Sequence, residues 1–437
     1  MQSLSIRVLI KIFKFGGASV KDAGGVRRVA QIIQSQAKEN NLVVVLSAMG
    51  KTTNALEVLF EKAQKGEVYE LEFDDLKNFH QSIAIELFGE EDEESKDALN
   101  RYFIRLEFQL SHSHGIDFDL GYDQVVSFGE YLSTLILYIY LKRKDIPTSL
   151  QNVRFLIKTD LTWREGIVNL DETQVAVQKS LEPILKSGIV VTQGFIGGAK
   201  NGMLTTLGRE GSDYTSAILG YCLNAESVTI WKDVPGVLNA DPKWLQGTVL
   251  LPNLSYQDAA ELTYYGATVI HPKTISPLAQ KRIPLFVRSF LDPEKQGTRI
   301  GTDAVRWTES AFIVKRNQTL ASFTSRDYSF MEEKNITEVL HAFNQASLKI
   351  NMLQISATSI SVVTEVKKEV LNLIAEHLSK QYYILHNENL TLFTIKNYDQ
   401  FSIDFVRGEN SIILDQRSRN TCQLLIRSDS QYHHYEH

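Results

Sequence analysis

IRVLIKIFKFGG (residues 6–17), GGVRRVAQIIQSQAK (24–38) and LVVVL (42–46) lie close together in that order, and the order decides the fold class. The first segment is dense in Ile, Val and Phe and runs straight into Gly16 and Gly17, as a buried strand ending in a tight turn does. The second places Val26, Val29, Ile32 and Ile33 at helical spacing, and the third is a near-continuous apolar run. Strand, helix and strand within about 40 residues make a βαβ unit, whose crossover sets its two strands parallel. The expectation is an α/β fold with a mainly parallel sheet.

Further strand-like runs stand at 153–157, 189–191, 227–231 and 285–287, so the α/β theme extends to about residue 300. Between about 55 and 115 no strand-like run appears and charges are frequent, which predicts a helical insertion; its acidic EEDEE (90–94) reads as a solvated loop. LSTLILYIYL (132–141) is about half the roughly 20 residues a membrane span needs and is followed by KRKD, so it reads as a buried helix. After Gly297-Thr298 the pattern changes. Strands at 311–315 and 320–324, a helix over 332–346, strands at 349–355 and 359–364, a helix over 366–379 and strands at 382–396 form an α+β module. Two more strands within 411–427 precede a polar tail, so a second module is abbreviated, and the division falls at 1–302 and 303–437.

The 437 residues suffice for two or three domains, and 43% hydrophobic with 22% charged residues is ordinary for a globular chain. Lys and Arg number 46 against 52 Asp and Glu, a net charge of −6 that lacks the basic excess a nucleic-acid partner requires. Cys222 and Cys422 cannot build a disulfide framework or a four-cysteine zinc site, which points to a reducing compartment such as the cytoplasm. MQSLSIRVLIKIF, interrupted by Arg7 and Lys11, is not read as a signal peptide, and no membrane partner is expected.

Two glycine-rich blocks carry the chemistry. In KFGGAS (14–19) a strand turns towards a helix: glycines let backbone N–H groups approach an anion, and Lys14 adds a full charge. The spacing matches neither GxxxxGK nor GxGxxG, so a structural turn with an exposed lysine stands beside the phosphate cradle as a reading. TQGFIGGAKNGMLTTLGREGSD (192–213) ends in Arg209, a planar fork for a carboxylate, and in Ser212 and Asp213, which could equally cap the helix that follows.

These motifs, with LSAMGKTT (46–53), SFGE (127–130), KDVPG (232–236), DPK (241–243) and HPKT (271–274), occur in the order found in aspartate kinase, and the chain resembles that family from residue 9 to about 300. The downstream region resembles its ACT modules. The resemblance implies an amino acid kinase sandwich that transfers the γ-phosphoryl group of ATP, with Mg²⁺, to the β-carboxylate of L-aspartate on the route to lysine, threonine and methionine. It implies catalytic roles for Lys14 and Asp213, aspartate held by Ser47, Thr53, Glu130, Arg209 and Ser212, and ATP held by Lys14, Gly16, Gly17, Ser19, Lys232, Asp233, Leu238, Lys243 and Lys273. No metal-ligand set of the protein's own is expected, and His271 reads as structural. An aspartate carboxylate is already ionised at neutral pH, so the reaction needs relief of repulsion between anions and no general base.

The sequence also departs from the pattern. Glu210 stands where many members carry glycine in GRGGSD and is expected to face solvent or pair with a cation, while Lys243 replaces the more usual arginine. Asn335 and Thr358-Ser359 occupy positions where lysine-inhibited relatives carry a glycine and a Ser-Glu pair, so lysine, threonine or no effector remain open at the ACT region. ACT modules pair across subunits in the family, which implies a homodimer. An inactive ACT-containing amino acid sensor, and a kinase for another acid such as acetylglutamate, are the alternatives.

Overall fold

The computed structural model describes residues 9–37, 41–267, 270–302, 307–327, 329–366 and 368–427. The start of the first expected strand and the polar tail lie outside them, as do residues 303–306 beside the expected domain boundary. The chain forms two compact units. The first takes residues up to Val237 together with Leu250–Thr263 and Thr268–Trp307; the second takes Leu238–Val249, Tyr264–Ala267 and the chain from Thr308 onward.

In the first unit, β1 (Ile10–Phe15), α1 (Ala23–Ala37) and β2 (Asn41–Leu46) form the expected βαβ unit, with β1 and β2 parallel. The insertion is helical throughout: α2 (Thr52–Lys65), α3 (Glu70–Phe88), α4 (Glu93–Ser111), α5 (Phe118–Val126) and α6 (Phe128–Arg143). Together α5 and α6 are long and apolar enough to cross a membrane, yet 78% of the most apolar stretch is buried in the protein. The acidic cluster is not wholly a free loop, because Glu93 and Glu94 open α4, where carboxylates suit the helix dipole, and Asp92 pairs with Arg143 at 2.6 Å. There follow β3 (Thr148–Gln151), β4 (Lys158–Thr159), α7 (Leu170–Leu185), β5 (Ile189–Gln193), β6 (Ile196–Ala199), β7 (Leu204–Thr206), α8 (Gly211–Leu223), β8 (Ser227–Lys232), β9 (Asn253–Ser255), α9 (Tyr256–Tyr265), α10 (Pro272–Lys281), β10 (Leu285–Ser289) and β11 (Thr298–Gly301).

The expected strand at 153–157 is a correction. The strand, β3, is the half-buried TSLQ just before it, and Val153–Phe155 is a 3-10 turn. An edge strand need not be apolar, and the apolar run is a turn that buries Val153, Leu156 and Ile157 and leaves Phe155 exposed: Asn152 caps it and the Val153 amide donates to the Gln193 side chain at 3.0 Å.

The main sheet runs β3-β5-β2-β1-β8-β10-β11-β9, parallel except between β10 and β11. Alternate residues of its central strands serve two cores, as the period of a strand dictates. Phe13, Phe15, Val44 and Leu46 join Val26, Val29 and Ile33 of α1 and Leu132 and Ile136 of α6 on one face. Helices α7 and α8 cover the other face, and α10 packs against α8. β1 lies between β2 and β8, whose connections lead away in opposite directions, and the carboxyl ends at such a reversal are where an open α/β sheet leaves a crevice.

The second unit is an antiparallel sheet in the order β13-β14-β12-β15-β17-β16, built from β12 (Ala311–Ser325), β13 (Ile350–Ile355), β14 (Ser359–Thr364), β15 (Tyr382–Lys396), β16 (Ile412–Arg417) and β17 (Thr421–Arg427). Runs 311–315 and 320–324, expected as separate strands, belong to the single strand β12, interrupted by an irregularity at 315–320 where Asn317 takes a left-handed φ of 55°. α11 (Glu333–Gln345) and α12 (Lys368–Leu378) pack Val339, Phe343, Leu371 and Ile374 against Phe323 and Val362. α13 (Gln400–Arg407), which the sequence reading left unassigned, packs Ile403 and Val406 against Phe393, Ile395 and Leu424. Two ACT-type lobes result, the second with α13 as its helix among the described residues.

Candidate active site

The crevice is a cavity of about 590 Å³, lined by Lys14, Ser47, Thr53, Tyr122, Glu130, Arg164, Glu165, Phe195, Thr206, Lys232 and the whole turn from Gly208 to Asp213. Both expected catalytic residues and all five expected aspartate contacts are therefore on one wall system. Local folding puts each there. Lys14 is near the end of β1, Ser47 just past β2, Thr53 in the first turn of α2, Glu130 in the first turn of α6, and Lys232 closes β8.

Two glycines permit this convergence by close approach. A Cβ on Gly17 would fall 2.6 Å from the Ala48 carbonyl oxygen, so the turn after β1 can rest on the loop after β2 only without a side chain. A Cβ on Gly194 would fall 2.4 Å from the Ser212 Cβ, so this glycine lets the start of α8 press against the end of β5. The backbone of the Gly16–Ser19 turn consequently lies behind Lys14, and Gly16, Gly17 and Ser19 are not on the cavity wall.

Asp213, in the first turn of α8 and 1% exposed, binds the Lys14 ammonium at 2.6 Å and the Lys232 ammonium at 3.4 Å. Burial pushes its carboxyl up, but the two lysine charges and their hydrogen bonds outweigh that and hold it below the usual range. The result is a fixed pair of ammonium groups beside a helix N-terminus, suited to an incoming phosphoryl group.

Glu130 is 2% exposed and accepts a hydrogen bond from the Ala48 amide at 3.3 Å, while its second oxygen is buried without a partner. Burial pushes its pKa up to about 8, against smaller opposing effects of that amide and of Lys14. A buried carboxyl with an orphaned oxygen is completed by a cationic ligand. Glu210 lines the cavity in a left-handed conformation, φ 53°, with one carboxylate oxygen buried and without a hydrogen bond. Of the two expected outcomes, facing solvent or pairing with a cation, it meets neither in full: it is half-buried and makes no ion pair within 4 Å among the described residues, while burial raises its pKa and the Lys232 charge acts against that.

Several wall residues escaped the sequence reading. Asp123, fully buried on α5, accepts hydrogen bonds from the Thr206 amide at 3.0 Å, the Thr206 hydroxyl at 2.7 Å and the Arg164 amide at 2.9 Å, and so ties the 160–167 loop to β7. Burial raises its pKa against those bonds. Arg164 lies over the Tyr122 ring at 4.4 Å, and Tyr122 donates to Glu57 at 2.6 Å. An aspartate within an apolar helix (GYDQVV) was the available signal, since such a group needs buried donors.

Lys273 reaches the rim through its pairing with Glu165 at 3.7 Å, and His271 caps α10, its Nδ1 accepting from the Lys273 amide at 3.2 Å. Asp233 is exposed and off the wall. Leu238 and Lys243 belong to the second unit, where the Lys243 amide donates to Asp241 at 2.9 Å. Cys222 is buried in the core, its thiol pushed up to about 12 by burial.

Residues 10–289 match the amino acid kinase family. The chain is 32% identical to lysine-sensitive aspartokinase 3 of Escherichia coli over 82% of its own length and 78% of that protein's. It is also 32% identical to the chloroplastic aspartokinase 1 of Arabidopsis thaliana over 82% of its own length, spanning 63% of that longer protein. Its structure resembles E. coli aspartokinase III solved with aspartate and ADP, with a TM-score of 0.80 at 27% identity, covering 95% of this chain and 96% of that one. The same enzyme solved with lysine and aspartate gives a TM-score of 0.80 at 28% identity, covering 95% of each chain. The chain belongs to the amino acid kinase family and, within it, to the aspartokinases.

Proposed function

We infer that the protein transfers the γ-phosphoryl group of ATP to the β-carboxylate of L-aspartate, giving 4-phospho-L-aspartate, the first step towards lysine, threonine and methionine. The observation that carries the assignment of residues is the meeting, in one cavity, of a buried unpaired carboxyl oxygen on Glu130 with the Lys14–Asp213–Lys232 cluster. Glu130 receives the aspartate ammonium. Arg209, on the same wall, receives a carboxylate as a planar fork, and Ser47, Thr53 and Ser212 supply hydroxyls.

The β-carboxylate attacks as an anion, so catalysis consists of bringing it to a phosphoryl group against mutual repulsion. Lys14 and Lys232 place charge where it develops on the transferring oxygens, and Asp213 fixes both ammonium groups before substrate arrives. Lys273 and Glu165 at the rim form part of the nucleotide's surroundings. Among the described residues no cluster of three or more His, Cys, Asp or Glu side chains is placed to hold a metal. The donor set, with Asp213 buried beside the phosphoryl seat, fits Mg²⁺ carried on the nucleotide, where it neutralises phosphate charge when bound. An amino acid effector, lysine first, is assigned to the ACT-type lobes. The cytoplasm and a homodimer are the corresponding expectations for location and assembly, the latter checked by light scattering.

A hydroxamate assay with ATP, Mg²⁺ and candidate acids tests the reading. Aspartate should turn over and N-acetylglutamate should not, and Lys14→Ala or Asp213→Ala should lower kcat roughly 100- to 1,000-fold in a folded protein. Unchanged turnover in Lys14→Ala would contradict the assigned role.

A further inference from the structure

Glu210 is the one non-glycine residue of the cavity turn Gly208–Asp213 whose backbone is left-handed, with φ 53° and ψ 31° at the N-cap of α8. An L side chain is strained there, and such outliers gather where the surroundings use them. Its carboxylate is directed to the interior, one oxygen shut off from water without a hydrogen bond. The charges acting on it are Lys232, Asp213, Lys14 and Arg209, in that order of strength. Three of these also form the phosphoryl seat: the ammonium groups of Lys14 and Lys232, and the Asp213 carboxylate that bridges them at 2.6 and 3.4 Å. Two cations and one anion leave the seat one positive charge, and an ionised Glu210 cancels it.

We propose that Glu210 is an affinity-setting residue of this seat: on the same cavity wall as Lys232 and Lys14, with one buried oxygen unpaired, its carboxylate offsets their charge without contact and opposes the terminal phosphoryl group of a nucleoside triphosphate as it approaches them. The inference rests on the reading that these lysines receive the γ-phosphoryl group. Glu210 makes none of the ion pairs within 4 Å that hold Asp213, so rotation towards the open cavity breaks no close contact of its own among the described residues. A carboxylate so placed penalises ligands that bring negative charge to the γ position. A nucleoside diphosphate, which leaves the γ position empty, has no reason to compete with it.

Calorimetric titration of the full chain with Mg²⁺ and either ADP or the non-hydrolysable triphosphate AMP-PNP separates these ligands. Glu210→Gln, which removes the charge but keeps the backbone constraint, and Glu210→Gly, which removes both, should each bind AMP-PNP about tenfold more tightly than the native chain. ADP affinity should change less than twofold in both. Equal tightening of ADP and AMP-PNP would overturn the proposal, because the effect would then not belong to the γ position. Tightening in Glu210→Gly alone would assign it to the backbone and overturn it as well. Weaker AMP-PNP binding in Glu210→Gln would make the carboxylate a ligand of the nucleotide's cation, the opposite role. Aspartyl hydroxamate formation by the native chain is measured alongside: if it is present and depends on Lys14 while the titrations show no γ-specific change, this inference alone fails, whereas independence from Lys14 removes the reading beneath it.

Discussion

Replacing Glu130 by glutamine keeps the shape of a side chain that is 2% exposed and removes its ability to ionise, so the variant isolates one charge. With its pKa pushed up to about 8 by burial, roughly one Glu130 in ten is ionised at pH 7 in the free enzyme. If the aspartate ammonium binds the ionised form, apparent affinity is limited by that fraction. The aspartate KM of the native enzyme should then fall about tenfold between pH 6 and 7, about fivefold between 7 and 8, and level off above. Leaving a buried charge without its partner costs roughly 3–5 kcal/mol, so Glu130→Gln should raise the aspartate KM more than 100-fold at pH 8. Its pH profile should be flat, so the ratio of the two KM values should be about 50-fold smaller at pH 6 than at pH 8. Stability gives an independent reading. The folded-state pKa lies above the ordinary 4.5, so the folded chain keeps a proton that the unfolded chain releases, and native stability should decline as pH climbs from about 4.5 to about 8. Urea midpoints of Glu130→Gln should lack this contribution. A native KM independent of pH between 6 and 8, or a Glu130→Gln profile parallel to it, would refute the assignment of Glu130 to the ammonium.

Other outcomes follow from packing and burial. Gly194→Ala would drive a methyl group into Ser212, whose Cβ and Oγ lie 2.4 and 2.6 Å from the added atom, and should cost about 1–3 kcal/mol of stability together with at least a tenfold loss of kcat/KM for aspartate. Unaltered kinetics would show that Ser212 does not depend on this contact. His80 is fully buried, with Nδ1 at 2.8 Å from the Leu76 carbonyl and Nε2 accepting from Thr52 at 3.3 Å, next to Thr53 of the cavity. Burial lowers its pKa to about 4, so its neutral form supports folding above pH 6.5 and that support is lost as pH falls towards 4. His80→Phe should remove this part of the acid sensitivity in denaturant titrations at pH 4–7; identical slopes for both proteins would argue against it.

The part of the molecule that the sequence makes legible is the part where period and burial agree. The βαβ start reads directly, because β1 and β2 are buried over most of their length and, apart from Lys11, Lys14 and Asn41, are wholly apolar. Lys14 and Asp213 are far apart along the chain, yet Lys14 lies in β1 and Asp213 opens α8, the helix that leads into β8 beside β1, so their pairing at 2.6 Å is a matter of topology. β3 was misplaced because an edge strand carries no apolar mark. α13 was missed because eight residues barely exceed two helical turns; its clearest sign was the reciprocal capping of Asp399 and Ser402. Arg164 and Glu165 have no spacing rule at all: they reach the cavity through a loop whose position depends on Asp123, a contact between residues some 40 positions apart.

The two strands of 15 residues in the second unit, β12 and β15, both pass from one lobe to the other, β12 through the irregularity at 315–320. Neither lobe therefore owns a complete sheet. Like two rooms under one pair of rafters, they must stand or fall together: melting should be a single cooperative event for both, and a graft or truncation that separates them would have to cut through shared timber. A change of twist imposed on one half is mechanically available to the other along the same backbone, with no hinge residue needed beyond the irregularity at 315–320.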